Sequence, residues 1–144
     1  MVWQMGGVTR VTGMKSDSAR STILVVDDDP AILEYAGGVL EECGYAVLTA
    51  LNAATALVML RNNEPIDLLF TDLVMPGSDG IELARRAGEQ VPGLKVLFTT
   101  GYARNAIVHQ GRLDPGVELI VKPFTASSLA AKIRHVLHGT PPKG

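Results

Sequence analysis

The sequence predicts an α/β protein, a doubly wound parallel sheet of five strands with helices on both faces. Three observations carry this. Short apolar runs rich in β-branched residues recur at 23–26, 66–71, 96–99 and 119–121. They lack polar alternation, which suits strands buried on both faces of a parallel sheet. Segments with helical spacing lie between them, giving a β-α order repeated five times. Right-handed crossovers turn that order into a doubly wound sheet. Polar residues stand where the runs end: Asp27-Asp28-Asp29-Pro30, Asp72, Thr100-Gly101 and Lys122-Pro123. Parallel strands bring all of them to one edge, the edge at which open α/β sheets bind ligands.

The elements follow in order. Residues 1–20 have no hydrophobic period and hold Gly6-Gly7 and Gly13, so a disordered lead-in is expected. Ile23 to Val26 is the first strand. Pro30 suits a first helical turn, Ile32, Leu33, Ala36, Val39 and Leu40 recur at helical spacing, and Gly44 stops the helix. Gly37-Gly38 inside it conflicts with helix propensity by about 1 kcal/mol per glycine, and close helix packing is the expected reason. Ala46 to Thr49 is a short strand. Ala53 to Arg61 is a helix with Asn52 as its cap, ending at Asn62-Asn63-Glu64-Pro65.

Ile66 to Thr71 is the central strand. Met75-Pro76-Gly77-Ser78-Asp79-Gly80 reads as a loop leading into a helix from Ile81 to Gln90. Lys95 to Thr99 is the fourth strand. Ala103 to Gln110 suits a short helix that Gly111 and Pro115-Gly116 break early. Glu118 to Val121 is the last strand. Ser127 to Leu137 is the last helix, with Leu129, Ile133, Val136 and Leu137 on one side, and Thr140-Pro141-Pro142 ends the fold. The expected organisation is one domain over 21–139 and a flexible tail over 140–144.

A chain of 144 residues, 47% hydrophobic and 19% charged, suits one globular domain with a sizeable core. The formal net charge of −2 gives no electrostatic case for nucleic acid. Cys43 is the only cysteine, so no internal disulfide forms, and it is expected to pack as a small hydrophobe. No apolar stretch approaches the roughly 20 residues that span a membrane. Residues 1–20 lack the apolar core of a secretory signal. A cytoplasmic location is expected, with neither nucleic acid nor membrane as partner.

The strand ends carry the chemistry. Asp27, Asp28 and Asp72 converge at neighbouring strands. Unit charges roughly 4 Å apart interact by about 4 kcal/mol at an effective dielectric near 20. Three carboxylates repel unless a cation lies among them, and hard oxygen ligands with room for water suit Mg²⁺ or Mn²⁺. Asp29 suits a helix N-terminus. Helix capping could equally account for Asp28 and Asp29 alone. It does not account for Asp72, which Leu73-Val74-Met75-Pro76 follow. Lys122 has an apolar stem and an ammonium able to reach the sheet edge. Thr100 offers a hydroxyl there, and Gly101 permits close backbone approach. Each signal is weak alone; the ordered set, each member on its own strand, is strong.

At these residues the sequence resembles the receiver domain of bacterial two-component response regulators. The resemblance covers about Ser21 to His138 and rests on four segments: 23–30, 71–80, Thr99-Thr100-Gly101 and Lys122-Pro123-Phe124. It implies a flavodoxin-like three-layer sandwich with strand order 2-1-3-4-5; a family member is the standard illustration of that order. It implies that Asp72 accepts a phosphoryl group from a phosphohistidine on a partner. Asp28, Asp72 and the backbone carbonyl of Val74 would bind Mg²⁺, with Asp27 helping through water. Lys122 would pair with a phosphoryl oxygen, and Thr100 would hydrogen-bond it when the switch closes. The implied partners are a sensor histidine kinase or histidine phosphotransfer protein and a downstream protein target. A homodimer through the last helix and strand face is left open.

One position departs from the family's commonest pattern. Leu119 stands where receivers often carry an aromatic that swings inward with the threonine. Leucine presents no hydroxyl, so an output change by helix movement is expected instead. By resemblance, Val74 and Tyr102 border the path of the water that attacks an aspartyl phosphate. Tyr102 to Gly116 looks like receivers at the C-terminus of hybrid histidine kinases. Other classes fit less well. Haloacid-dehalogenase-like phosphatases want an acid two residues after the nucleophile, where Val74 stands. A flavodoxin-like electron carrier needs a phosphate-cradling loop after the first strand, where three aspartates stand. No P-loop motif is present. The remaining alternative is a pseudo-receiver, an interaction module that carries no phosphate.

Overall fold

The structure is a computed structural model that describes residues 20–62, 65–101 and 118–139. The lead-in, Tyr102, the short helix expected over 103–110 and the tail over 140–144 lie outside the described residues.

β1 (Thr22–Val26) leads into α1 (Pro30–Glu42), and β2 (Ala46–Ala50) into α2 (Ala53–Asn62). β3 (Leu68–Asp72) leads through a small ribbon, Val74–Met75 against Ser78–Asp79, into α3 (Gly80–Gln90). β4 (Lys95–Thr100), β5 (Glu118–Val121) and α4 (Ala126–His138) complete the fold. The five long strands form one parallel sheet in the order β2-β1-β3-β4-β5. This is the order that the resemblance implied.

The unalternating runs are explained by two cores, one on each face. Ile23, Val25, Leu68, Phe70 and Leu97 point to the face that Leu33, Ala36 and Leu40 of α1 and Leu129 and Ile133 of α4 cover. Leu24, Val26 and Leu69 point to the other, under Ala56 and Leu60 of α2 and Leu83 and Ala87 of α3. Each fully buried Leu or Ile contributes roughly 1.5–3 kcal/mol relative to exposure. The caps are local. Asp29 accepts from Ala31 N at 3.0 Å, ahead of Pro30 in the first turn of α1, and Asn52 accepts from Thr55 N at 2.8 Å. A capping box of Thr125 and Ser128 starts α4. Gly44, at φ 99°, ends α1 in the left-handed region.

Four expectations are corrected. The loop over 75–80 contains the ribbon, because Gly77 at φ 72° turns the chain back on itself. β3 runs from Leu68 to Asp72 and so starts two residues later than expected, although the exposed Asp67 still bonds both neighbours, its N donating to Thr22 O at 2.9 Å and its O accepting from Lys95 N at 3.2 Å. Cys43 is exposed at the C-cap of α1, so it is no packed hydrophobe. Close packing does not explain Gly37-Gly38. A Cβ on buried Gly37 would meet Val47 Cγ1 at an ordinary 3.6 Å, and one on exposed Gly38 would meet nothing within 4 Å. Gly38→Ala is therefore expected to stabilise the fold by about 0.5–1 kcal/mol. Thermal melting checks this: Tm should rise by a few degrees, and an unchanged or lower Tm contradicts the packing argument.

Candidate functional site

The polar residues meet where the carboxyl ends of β1, β3, β4 and β5 lie side by side. Thr71 pairs with Val26, Thr99 with Asp72 and Val121 with Thr100 in the sheet register. Asp27 follows β1 directly and is 1% exposed. Its Oδ1 accepts from Asp29 N at 2.9 Å. Its Oδ2 lies 3.0 Å from Lys122 Nζ, as an ion pair without an aligned hydrogen bond. Asp72 ends β3. Its Oδ1 accepts from Val74 N at 3.3 Å, and its Oδ2 from Lys122 Nζ at 3.1 Å. One ammonium thus spans two carboxylates.

Lys122 is itself held by the sheet. Its amide donates to the Thr100 carbonyl at 2.8 Å, and its bond to Pro123 is cis. Phe124, just beyond, packs on Phe70 and stacks on Tyr35, with ring centroids 6.0 Å apart in each pair. The hydroxyls of Thr99 and Thr100 are buried without a partner. A polar group left unpaired in a dry site is costly, so Thr100 Oγ is suited to a ligand at this edge.

The electrostatics are those of a site short of positive charge. Asp28 is exposed, and ligand oxygens of Asp27, Asp28 and Asp72 lie within 4.8 Å of one another. With Lys122, these leave two formal negative charges. Burial pushes the Asp72 carboxyl above its ordinary range. Lys122 and the Val74 amide pull it back, Asp27 adds repulsion, and the net shift is upward. Burial alone would lower the Lys122 ammonium, but the carboxylates facing it win and hold it above its ordinary range. Carboxylate oxygens with one exposed member suit a hard divalent cation, so the acidic cluster can hold a metal.

The structure thus brings Asp27, Asp28, Asp72, Thr100 and Lys122 to one edge. Val74 is 59% exposed at its rim. Leu119 is half-buried on β5 opposite Phe98.

A profile of the response regulator receiver domain matches residues 23–134. The chain belongs to the response regulator receiver family. The receiver is 40% identical over 115 residues to the response regulator receiver protein CpdR of Brucella abortus, covering 80% of this chain and 95% of that one. It is 31% identical over 121 residues to the sensor kinase CckA of the same organism, covering 83% of this chain but 13% of the kinase. Among solved structures, a receiver domain protein from Methanospirillum hungatei aligns with TM-score 0.71 at 33% identity, covering 83% of this chain and 95% of that one. The receiver domain of hybrid histidine kinase CckA aligns with TM-score 0.69 at 30% identity, covering 82% of this chain and 100% of that one. The receiver is therefore a two-component signalling module. Among the described residues no helix is long and apolar enough to cross a membrane.

Sequence reasoning missed two features of the site. The first is that Asp27, expected to help hold the cation through water, is also a direct ion-pair partner of Lys122. Gly80 was read only as part of a loop, yet it packs on the backbone of Asp72 and Leu73. No local signal pointed to that contact, since an Asp-Gly pair is equally at home in an ordinary turn.

Proposed function

We propose that this receiver takes a phosphoryl group onto Asp72 from a phosphohistidine of a sensor histidine kinase or phosphotransfer protein. The phosphorylated form then changes its binding to a downstream protein. The reading fits a cytoplasmic location. The observation that carries it is the placement of Lys122 Nζ between Asp72 and Asp27, beside the third acid. An Asp72 oxygen attacks phosphorus, the phosphorus–nitrogen bond breaks, and the imidazole leaves. Lys122 turns from the carboxylate to a phosphoryl oxygen. Thr100 donates its unpaired hydroxyl to another. Asp28, Asp72 and the Val74 carbonyl would hold Mg²⁺ or Mn²⁺, with Asp27 acting through water. The cation supplies neutralisation of the phosphoryl oxygens, which is most of what phosphoryl transfer needs.

Beryllofluoride with Mg²⁺, an aspartyl-phosphate mimic, tests this directly. Amide resonances of Asp72, Thr100 and Lys122 should move together. Unchanged resonances at all three would overturn the assignment and favour the pseudo-receiver.

The rim predicts a long-lived aspartyl phosphate. Hydrolysis needs a water held in line with phosphorus and relieved of a proton. Valine at 74 can do neither, and the phenol of Tyr102 is a poor base near pH 7. Introducing Asn at position 74 and Glu at position 102 together should speed single-turnover decay several fold. A slower or equal rate would show that neither side chain controls water access.

A further inference from the structure

Gly80 opens α3 and is buried against the strand end that carries Asp72. Its amide donates to the Leu73 carbonyl at 2.8 Å. A Cβ at this position would land on the Asp72 carbonyl oxygen, with Asp72 C and Leu73 Cα each 3.0 Å away. The obstruction is backbone, which cannot swing aside as a side chain can. Gly80 does not lie in the left-handed region, so the glycine answers a need for space. Gly88, on the same helix, would meet nothing within 4 Å. The pressed segment is gripped from other sides as well. Leu73 N donates to Thr99 O at 2.9 Å, and Val74 N donates to Asp72 Oδ1 at 3.3 Å. Asp79 caps the same helical turn, accepting from Ile81 N at 2.8 Å.

We infer that Gly80 is a positioning residue for the acidic centre. Its lack of a side chain seats the first turn of α3 on the Asp72-Leu73 peptide, which aims the Asp72 carboxylate and the Val74 carbonyl at the cation. The inference rests on the cation-binding part of the phosphoacceptor reading and adds to it the element that sets the aim of the site. A methyl at Gly80 must push residues 72–74 away from α3, and a displacement near 1 Å at a reacting group costs on the order of 100-fold in rate.

The test compares Gly80→Ala with Gly88→Ala in the full chain. Mg²⁺ is titrated while the amide resonances of residues 27–29 and 72–74 are followed, and labelling by acetyl phosphate is timed at saturating Mg²⁺. A folded Gly80→Ala protein should bind Mg²⁺ at least tenfold more weakly and label roughly 10- to 100-fold more slowly. Gly88→Ala should match the parent in both. A folded Gly80→Ala protein with parental Mg²⁺ affinity overturns the inference. Should that variant not fold, the parent decides. On adding Mg²⁺ the Gly80 amide resonance should move in step with those of Asp72 and Leu73, and a stationary Gly80 amide overturns the inference. A parent that binds Mg²⁺ but takes no phosphoryl group would sink the phosphoacceptor reading and leave this one standing.

Discussion

Asp72→Asn is expected to abolish labelling by acetyl phosphate altogether. The amide keeps the shape of the side chain but loses the nucleophilic oxygen and one negative charge from the acidic cluster. The same change should raise the stability of the metal-free protein. Burial is the chief reason that the Asp72 carboxyl is held above its ordinary value of 3.8. A carboxyl raised by folding contributes stability below its unfolded value. It loses that contribution as pH rises through its folded value. The parent is therefore penalised at neutral pH, and Asn escapes the penalty. Urea unfolding of both proteins without Mg²⁺ should show a gap in favour of Asn near pH 7 that closes below pH 4. Stoichiometric labelling of Asp72→Asn with the modification mapped to another residue would remove Asp72 from its role. A gap of the opposite sign would contradict the electrostatic account.

The second large effect is expected at Lys122. Its ammonium is the one cation facing Asp27 and Asp72 among the described residues, and Asp27 is 1% exposed. Removing one partner of a buried ion pair costs about 3–5 kcal/mol, because the other charge stays behind unpaired. The Lys122 side chain is 22% exposed, so water tempers the loss to roughly 2–3 kcal/mol for Lys122→Ala. Mg²⁺ should return part of that stability. The variant site carries one more uncompensated negative charge and binds the cation more tightly than the parent does. At 100 times the dissociation constant, a ligand adds about 2.7 kcal/mol. Unfolding measured with and without Mg²⁺ should therefore give a larger gain for the variant than for the parent. A variant as stable as the parent without Mg²⁺ would mean that Lys122 neutralises nothing in the resting site. The sign with pH also follows. Folding raises the Lys122 ammonium, so its stabilisation is present at neutral pH and is lost in alkali as pH passes its folded value.

The sheet and most of its site were legible because they rest on periodicity and on residue type at strand ends. Ile23 to Val26 can hardly be other than a doubly covered strand, and Asp72 has no helix to cap. The acids, Thr100 and Lys122 were each placed by the strand that precedes them. What escaped depended on three-dimensional proximity. The space at Gly80 is set by how deeply α3 seats on β3, which no local pattern encodes. The exposure of Cys43 depends on how the end of α1 meets solvent. The Lys122–Asp27 contact spans 95 positions and depends on how far one flexible side chain reaches between two acids.

The two strands that carry Asp72 and lead into Lys122 differ in burial. β3 is bonded to β1 and β4 on either side, and every residue in it is buried. β5 is an edge strand of four residues, none of them fully buried. Amide protons of β3 should then exchange with solvent only when the whole molecule unfolds, whereas those of β5 should exchange through smaller, cheaper openings. Asp72 thus sits at the end of the strand expected to open last, and its counter-charge follows the strand expected to open early. On the proposed reading, a phosphoryl group entering between them would meet a fixed anvil on one side and a yielding spring on the other. Any displacement it caused would then be expected to run outward through β5 and α4, away from the protected centre.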